Sequence, residues 1–415
     1  MPLVVFEDAG FVNLLPLVYG RAVFDLRCGS DSLLDKIETA CEHPADGLVV
    51  RDTIAGAMRE RQPRGVNTPP EEDDQVWING RLIVRRMFDL PPNTAVWRGD
   101  VLLAARINAK TARRLAGAVF DSAACRTVLD GIRSAQIDPA DALLIDYPWQ
   151  LIHANEAEIV RQFGLVSCDI VGEVSPGAHL VNASAMHIGR GSRVKPGAVL
   201  DTEPGPIYVG EDVTISPNVT ITGPCYIGDG CLIQPCASIR GGTSIGPRCK
   251  VGGEVEGSLF QGFANKQHDG FLGHSFVGEW VNLGADTVTS DLKNTYGPIR
   301  VPINGRLVDS GEMFVGSIIG DHAKTGIQST LPTGCVIGYA ANVFLSRTPP
   351  KFVPSFSWLT DDGREWNDPA RALAVARKVV ARRGRRLSPE EADLFLSIAK
   401  EARRHEADPA AGGGV

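Results

Sequence analysis

The stretch that decides the fold runs from residue 209 to residue 255 and reads VGEDVTISPNVTITGPCYIGDGCLIQPCASIRGGTSIGPRCKVGGEV. In it an aliphatic residue recurs at every sixth position, and a small or β-branched residue follows each one four positions later. The aliphatic positions are Val209, Ile215, Ile221, Ile227, Ile233, Ile239, Ile245 and Val251. A six-residue repeat is typical of a parallel β-helix, in which each hexad forms one short strand and a corner. One hexad cannot bury its aliphatic residue alone, so the coils must stack.

The repeat extends beyond this stretch in both directions. Hexads begin near Ile170, lose their register at residues 200–208, and end at about Ala341. Two long departures interrupt them, at residues 256–276 and 289–314. Departures from a solenoid form loops on one face, which is often the binding face. We therefore predict an all-β parallel β-helix domain at residues 166–345 with two such loops.

The residues on either side of the repeat have the patterns of other folds. Residues 1–165 alternate apolar runs with helical patterns, which predicts an α/β, Rossmann-like domain with a linker helix at 151–163. The predicted strands are 3–6, 48–50, 76–79, 101–105 and 143–146, and the predicted helices are 32–40 and 108–119. Residues 346–415 indicate an extended, proline-broken segment and a short helical tail. Asp368-Pro369 and Ser388-Pro389 would each open a helix of that tail.

Charge and composition restrict the class of protein. A net charge of −7 gives no argument for nucleic acid or an anionic membrane as a partner. No apolar run reaches the roughly 18 residues that a membrane span requires, and MPLVVFEDAG lacks the pattern of a signal peptide. The nine cysteines include no CxxC pair, and three of them take the small-residue position of a hexad. We therefore expect a cytoplasmic protein with reduced cysteines.

Two histidines in the first departure are candidates for chemistry. The segment HDGFLGHSFVGEWVNLGADT begins at His268 and includes His274. It resembles the acetyltransferase half of the bifunctional GlmU family, which makes UDP-N-acetylglucosamine from glucosamine 1-phosphate, acetyl-CoA and UTP. The resemblance implies that His268 is the general base and that Asn282 contacts the sugar. Phe271 stands where the family has a tyrosine, so a hydroxyl that contacts the phosphate is absent.

Further positions of the site follow from the same resemblance. Arg240 falls on an arginine that holds the sugar 1-phosphate, and Asp291 replaces an asparagine. Ser317 lies in the segment that resembles the start of the coils that hold acyl-CoA. The resemblance also implies a left-handed β-helix, acetyl-CoA as cosubstrate and a homotrimer that binds coenzyme A between neighbouring prisms. A neutral imidazole, with an ordinary pKa of about 6.5, suits the removal of a proton from an amine.

The N-terminal domain resembles the sugar-nucleotidyltransferase half of the same family less closely. Leu15-Pro16-Leu17 followed by Arg21 resembles its opening, which implies that Arg21 binds the nucleotide. The family's glycine-rich phosphate loop is represented by residues 7–13, with the single glycine Gly10. Gly99-Asp100 could supply a ligand for Mg²⁺, although residues 77–81 compete for that role with Arg81 at the final position. Mg²⁺ and UTP, or another NTP, are expected only if nucleotidyl transfer is retained.

Three functions are compatible with these observations. The first is an N-acyltransferase for an amino-sugar phosphate, coupled to the divergent nucleotidyltransferase domain in nucleotide-sugar synthesis. The second is a zinc site of the carbonic-anhydrase type, which needs three converging histidines; His268 and His274 have no evident third partner. The third is a non-catalytic scaffold or regulator that senses nucleotide sugars and retains both folds as binding modules.

Overall fold

Seven strands form the mixed sheet of the N-terminal domain in the computed structural model, which describes residues 1–406. In sheet order they are Arg133–Ala135, Thr94–Arg98, Val101–Ile107, Gln75–Asn79, Leu3–Phe6, Gly47–Val49 and Gly65–Val66. Val101–Ile107 is antiparallel to both of its neighbours, and all other pairs are parallel. Leu3–Phe6 lies inside the sheet and is buried along its whole length, as a parallel strand covered on both faces must be.

Five helices cover this sheet and lead to the β-helix. They are α1 (Leu33–Cys41), α2 (Asp52–Arg61), α3 (Ala109–Ala116), α4 (Ser122–Val128) and α5 (Pro148–Phe163). Ser32 caps α1 through its hydroxyl, which accepts a hydrogen bond from the Asp35 N–H at 3.1 Å. Asn108 caps α3 in the same way, with its side-chain oxygen 2.9 Å from the Thr111 N–H. Short antiparallel pairs join Arg27–Cys28 to Asp31–Ser32 and Leu82–Val84 to Ala142–Leu144.

The hexads form a prism with three parallel faces. The first face contains Glu173–Val174, Arg193–Val194, Thr214–Ile215, Leu232–Ile233, Lys250–Val251 and Asn265–Lys266, and continues through Asn282 to Lys324–Thr325, Asn342–Phe344 and Ser357–Thr360. The second face contains His179–Val181, Val199–Asp201, Thr220–Thr222, Ser238–Ile239, Glu254–Glu256 and Phe271–Gly273, followed by the pair Val288–Thr289 and Thr330–Leu331. The third face contains Met186–Ile188, Ile207–Val209, Cys225–Ile227, Thr243–Ile245, Leu259–Phe260, Phe276–Val277, Ser317–Ile319, Cys335–Ile337 and Phe352–Val353.

Register within the faces follows the predicted repeat. Val209 pairs with Ile227 and Ile227 with Ile245, and all three side chains are fully buried inside the prism. The predicted fold class, an α/β domain followed by a left-handed hexapeptide β-helix and a helical tail, is confirmed. All nine cysteines are free thiols, and Cys225, Cys231 and Cys249 are buried in the hexads.

The first predicted departure is not a departure in the structure. Residues 256–276 form coils in register, and Phe260 pairs with Ile245 above it and Val277 below it. A coil of the regular repeat contains 18 residues, as between Ile227 and Ile245. The prediction was wrong because the coils at residues 256–276 are shorter, and because Phe260 takes an inward position that the repeat fills with an aliphatic residue. The second departure, at residues 289–314, is confirmed. It contains an antiparallel hairpin of Arg300–Ile303 and Arg306–Asp309.

Parallel pairing continues beyond residue 345, where we predicted the β-helix to end. Phe352–Val353 adds to the third face and Ser357–Thr360 to the first, and Gly363–Trp366 then pairs with the latter in antiparallel orientation. Two helices follow, α6 (Pro369–Ala381) and α7 (Pro389–His405). Each begins at the Asp-Pro or Ser-Pro pair that predicted it. Part of the predicted tail, residues 407–415, lies outside the described residues.

The three parts of the chain pack closely against one another. Asn155 of α5 accepts hydrogen bonds from the Gly29 N–H at 2.6 Å and the Ser244 hydroxyl at 3.1 Å, and donates to the Gly242 carbonyl at 2.7 Å. It thus joins the N-terminal domain to the third face. The helix α7 packs on both α2 and α6. Among residues 1–406 no helix combines the length and the apolar character that crossing a membrane requires.

Candidate functional site

The second face of the prism brings together three of the predicted site residues. Arg240 follows the strand Ser238–Ile239, and its Nη1 lies 2.9 Å from Glu256 Oε2 and 3.2 Å from Glu254 Oε1. All three side chains are at least one-third exposed, so these ion pairs are exchangeable with a ligand. Phe271 lies two coils further along the same face, and its ring covers Gly273, where a Cβ would come within 2.5 Å of the ring. Asp291 lies beside the same glycine.

His268 occupies the corner between the first and second faces. Its side chain is exposed and forms no hydrogen bond or ion pair with any other residue of the described chain. Its backbone is held by Lys266, whose Nζ donates to the carbonyls of His268 and Gly252, both at 2.8 Å. The imidazole of His268 is therefore available to a ligand while its main chain is fixed.

Lys266 is a residue of the candidate site that the sequence analysis missed. It pairs with Val251 and so takes an inward position of the first face, where its side chain is 2% exposed. Burial lowers the pKa of its ammonium group to about 8, although Asp269 and Asp286 raise it. The sequence analysis missed it because it placed residues 256–276 in a departure from the repeat, and inward positions alternate with outward ones only within a strand. A buried lysine needs hydrogen-bond acceptors, and the carbonyls of Gly252 and His268 provide them.

His274 belongs to a different arrangement from His268. Its Nδ1 lies 2.8 Å from Asp291 Oδ2, and its ring packs against Phe314 at 5.1 Å and His153 at 6.2 Å. His153 comes from α5, and burial lowers its pKa. Its Nε2 lies 2.9 Å from the Phe314 carbonyl oxygen. These contacts hold the second departure against α5, and the His274–Asp291 pair has the geometry of an imidazole oriented by a carboxylate.

Asn282 and Ser317 lie apart from the second face. Asn282 is exposed on the first face, where its side-chain oxygen lies 3.3 Å from Asn265 Nδ2. Ser317 is fully buried, and its hydroxyl has no hydrogen-bond partner. It precedes Ile319 by two positions on the same strand and therefore points into the prism. Its side chain does not reach acyl-CoA outside the prism, contrary to what the resemblance implied.

A cluster of paired charges lies at the carboxyl ends of two neighbouring strands in the N-terminal sheet. Asp8 follows the strand Leu3–Phe6, Asn79 ends the parallel neighbouring strand, and Arg81 lies beside them at 1% exposure. The guanidinium of Arg81 contacts both oxygens of Asp8, at 2.7 and 2.6 Å, and Asp146 Oδ1 at 2.8 Å. A small cavity of about 200 Å³ lies next to this cluster and is also lined by Asp100.

These carboxylates do not fit a magnesium ion. Asp8 and Asp146 are neutralised by Arg81, which sits between them where a metal ion would have to sit. Asp100, the predicted ligand, has an 83% exposed side chain that pairs with Arg126 at 3.2 Å. Within the described chain no three His, Cys, Asp or Glu residues are arranged to hold a metal ion. The sequence analysis identified the competition between Arg81 and Asp100, but it did not predict that Arg81 bridges two aspartates.

Arg21 lies at the contact with the β-helix and not at this cluster. Its Nη2 is 2.6 Å from Asp321 Oδ2 and 3.3 Å from Glu279 Oε2, and its side chain is 6% exposed. Both carboxylates belong to the β-helix, about 260 to 300 residues later in the chain. The predicted role of Arg21 in nucleotide binding does not agree with this position. A contact between such distant residues has no signal in a single sequence.

Comparison with protein families gives two matches. Residues 3–169 match the family described as sugar nucleotidyl transferase. Residues 206–241 match the bacterial transferase hexapeptide family, with six repeats. The first match covers the N-terminal domain through α5, and the second lies within the prism. Each matched segment thus coincides with one of the two folds.

Three curated relatives are named as bifunctional proteins, and the name of one states both activities. The bifunctional sugar-1-phosphate nucleotidylyltransferase/acetyltransferase of Sulfurisphaera tokodaii is 32% identical over 91 residues, which cover 22% of this chain and 23% of that protein. The bifunctional protein GlmU of Methanococcus vannielii is 35% identical over 85 residues, 20% of each chain. The GlmU of Synechococcus sp. strain CC9311 is 31% identical over 192 residues, 46% of this chain and 36% of that one. The matched segments therefore span at most 36% of these three relatives.

Solved structures give a weaker likeness. The Francisella novicida UDP-N-acetylglucosamine acyltransferase has a TM-score of 0.29 at 13% identity, over 59% of this chain and 98% of that one. The N-acyltransferase AntD from Bacillus cereus, in complex with dTDP and coenzyme A, has a TM-score of 0.19 at 13% identity, over 51% of this chain and 90% of that one. Scores this low add nothing to the description of the site.

Proposed function

From the premise that this chain is related to the GlmU-type bifunctional proteins, we propose that it is an acyl-CoA-dependent N-acyltransferase. Its acceptor is an amino-sugar phosphate of the glucosamine 1-phosphate type, and acetyl-CoA is the donor. The active assembly is a homotrimer, in which neighbouring prisms complete the coenzyme A site. The N-terminal domain is the sugar-nucleotidyltransferase partner, and the two together serve nucleotide-sugar synthesis.

The position of His268 is the observation that carries this proposal. A general base must reach its substrate, and the side chain of His268 is exposed and without a partner in the described chain. A base must also be held in place, and Lys266 fixes the main chain at His268 by two hydrogen bonds of 2.8 Å. An exposed imidazole on a rigid corner, beside a face that carries Arg240, has both properties.

The reaction needs one base and no metal. The lone pair of the acceptor amine attacks the thioester carbonyl carbon, and His268 takes the proton that the amine loses. The carbon–sulfur bond then breaks and the sulfur leaves as the thiolate of coenzyme A, which recovers a proton from the imidazolium. The products are an amide and free coenzyme A. The acyl group is activated by the cosubstrate itself, so the protein has to supply position and proton transfer.

The second face predicts a weaker hold on the acceptor phosphate than the family pattern implies. Arg240 is shared with Glu254 and Glu256, so a phosphate must displace two carboxylates to bind it. Phe271 offers no hydroxyl. These two differences support an acceptor that is positioned mainly through its sugar, with Asn282 and the Asp291 region as the polar contacts on either side of the corner.

A second function has support for the N-terminal domain alone. Arg81 takes the position between Asp8 and Asp146, which favours a domain that binds a nucleotide sugar without Mg²⁺-dependent chemistry. That corresponds to the sensing scaffold considered above. Nucleotidyl transfer from UTP or another NTP would require Arg81 to leave this position.

Mass-spectrometric screening tests both proposals. The purified chain is incubated with acetyl-CoA and a panel of amino-sugar phosphates, and then with each NTP and Mg²⁺. The acyltransferase proposal predicts an acetylated acceptor and free coenzyme A with at least one amino sugar. Release of coenzyme A with none of them contradicts it. A nucleotide sugar in the second step would refute the scaffold alternative for the N-terminal domain.

A further inference from the structure

A second cavity, of about 360 Å³, lies where the N-terminal domain, the β-helix and the two C-terminal helices meet. Arg21 contributes from the N-terminal domain, Trp280 and His322 from the β-helix, and Arg385 and Arg386 from the loop between α6 and α7. It shares no lining residue with the second face or with the Asp8–Arg81 cluster. Neither of the proposed reactions uses it.

The inner wall of this junction cavity carries buried polar atoms that have no partner. Arg21 and His322 line the cavity and are each 5% exposed. Arg21 uses Nη2 for Asp321 and Glu279, while its Nη1 has no hydrogen-bond partner. His322 Nδ1 also has none. Burial lowers the pKa of His322 to about 3, so its ring is neutral, with one nitrogen that donates a hydrogen bond and one that accepts. Buried unpaired groups are unfavourable, and because these two atoms are almost inaccessible, a ligand hydroxyl pairs with them after a small shift of the side chains towards the cavity.

The mouth of the junction cavity carries two guanidinium groups without a counter-charge. Arg385 and Arg386 are exposed, and neither forms an ion pair within residues 1–406. Arg385 lies 5.0 Å above the ring of Phe263, which stacks on Trp280 at 4.5 Å. These arginines belong to the run ARRGRR at residues 381–386, in which Arg383 instead donates to Arg248 O and Asn265 Oδ1. Two free guanidinium forks at one opening match the geometry of a phosphate group.

The remaining lining distinguishes a phosphorylated sugar from a simple anion. Trp280 lines the cavity with its ring stacked on Phe263 at 4.5 Å and nearly parallel to His322 at 6.3 Å, so it contributes an apolar wall. Asp25, Glu279 and Tyr339 also line the cavity and can bond hydroxyl groups. Carboxylates inside the cavity disfavour a phosphate there, whereas the arginines at the mouth favour it. A volume of about 360 Å³ is at the small end of ligand sites and suits one sugar ring with its phosphate.

We propose that the junction cavity binds a monosaccharide phosphate, with the phosphate on Arg385 and Arg386 and the sugar hydroxyls on Arg21 and His322. Because its walls come from all three parts of the chain, the ligand binds only while these parts are docked. The site is separate from the proposed acyltransferase site, so one can exist without the other.

Calorimetric titration of the full chain with α-D-glucose 1-phosphate, inorganic phosphate and glucose tests the proposal. The titrations are repeated in Arg240→Ala protein, which removes any contribution from the proposed acyl-acceptor site. The test variant is Arg385→Ala/Arg386→Ala. Its matched control is Arg377→Ala/Arg382→Ala, which removes the same charge from exposed positions of the same region that do not line the cavity. Thermal unfolding confirms that each variant is folded.

We expect one glucose 1-phosphate per chain at this site, bound more tightly than phosphate or glucose, and retained in Arg240→Ala protein. The test variant should lose at least about 10-fold in affinity, the factor that loss of one charge-assisted hydrogen bond produces, and the control less than about 2-fold. Equal losses in the two double variants overturn the proposal, as does loss of all binding in Arg240→Ala protein. Absence of binding at millimolar concentration overturns it too, and equal affinity for inorganic phosphate refutes the sugar contacts.

Discussion

The polar groups of the β-helix and those of the N-terminal domain are held in opposite ways. On the prism, His268 is exposed without a partner, and Arg240 forms only exposed ion pairs. In the N-terminal domain Arg81 is 1% exposed and fixed by four hydrogen bonds to Asp8, Asp146 and the Ile145 carbonyl. A site whose groups are free can exchange them for a substrate, whereas a site whose charges are mutually satisfied must first break those pairs. The difference predicts that a ligand binds more readily at the exposed groups of the prism than at the Arg81 cluster.

The largest effect on stability is expected inside the prism, because its regular coils hold the exposed groups in place. Ile227→Asp places a carboxylate where Ile227 is fully buried between Val209 and Ile245. Burial of an unpaired charge costs more than the roughly 5–15 kcal/mol by which a domain is stable. We expect no soluble folded protein on expression. Thr220→Asp, at an exposed position of the second face, is the control and should remain soluble. A soluble Ile227→Asp protein with an unchanged melting temperature would refute the inward assignment.

Arg81→Ala tests whether the N-terminal cluster is closed by its arginine. Removal of one partner of a buried ion pair leaves Asp8 uncompensated and typically costs about 3–5 kcal/mol. The melting temperature should therefore fall, and Mg²⁺ should raise it again in the variant but not in the wild-type protein, because ligand binding stabilises the folded state. Arg98→Ala, which removes a half-exposed partner of Asp146, should change it little. Stabilisation of the wild-type protein by Mg²⁺ would contradict the account.

Lys266→Met tests the support beneath His268. In the folded protein the pKa of Lys266 is lowered from 10.5 to about 8, so between these values the unfolded chain binds more protons than the folded one. Stability should therefore rise as the pH increases from 8 towards 10.5, by up to roughly 3 kcal/mol. The Lys266→Met protein should lose this contribution and keep that of Lys324, whose pKa burial also lowers to about 8, whereas Lys250→Met, at an outward position of the same face, should retain both. Denaturant unfolding at a series of pH values measures it, and identical profiles for the wild-type and Lys266→Met proteins would be the contrary result.

The smallest effect is expected at Asp100. Its carboxylate is 83% exposed and pairs only with the half-exposed Arg126. Asp100→Ala should change the free energy of unfolding by no more than about 0.5 kcal/mol and should not alter the response to EDTA. A variant that loses an EDTA-sensitive nucleotidyl transfer present in the wild-type protein would restore Asp100 as a metal ligand.

The local sequence pattern predicted much of the secondary structure of this molecule. Contacts between residues far apart in the chain could not be predicted from it. The hexad period predicted the stacked coils, and within the regular stretch Ile215 pairs with Ile233 because each strand contacts the one a coil away. The period fails after Ile245, because the next inward residue on the third face, Phe260, follows only 15 residues later. The helix α1 was predicted to within one residue at each end, and the first residue of α7 was predicted from its Ser-Pro pair.

The candidate site was predictable only in part. Arg240, Phe271 and Asp291 do share one region, which the resemblance implied. The burial of Ser317 could have been read from its spacing to Ile319, since residues two apart on a strand face the same side. The ion pairs of Arg21 with Asp321 and of Arg81 with Asp8 depend on packing between elements that are far apart in the chain, and no local pattern encodes them.

The most direct test of the central claim compares His268→Ala with His274→Ala in acetyl transfer to the acceptor found by screening. His268 is free at its corner, whereas His274 is held by Asp291 at 2.8 Å and packed against Phe314. We predict that His268→Ala lowers kcat by about 10²–10⁴-fold, the usual cost of losing a general base, while coenzyme A binding and the oligomeric state stay unchanged. His274→Ala should cost far less. Full acyl transfer by His268→Ala protein, or the reverse ranking of the two variants, would contradict the account.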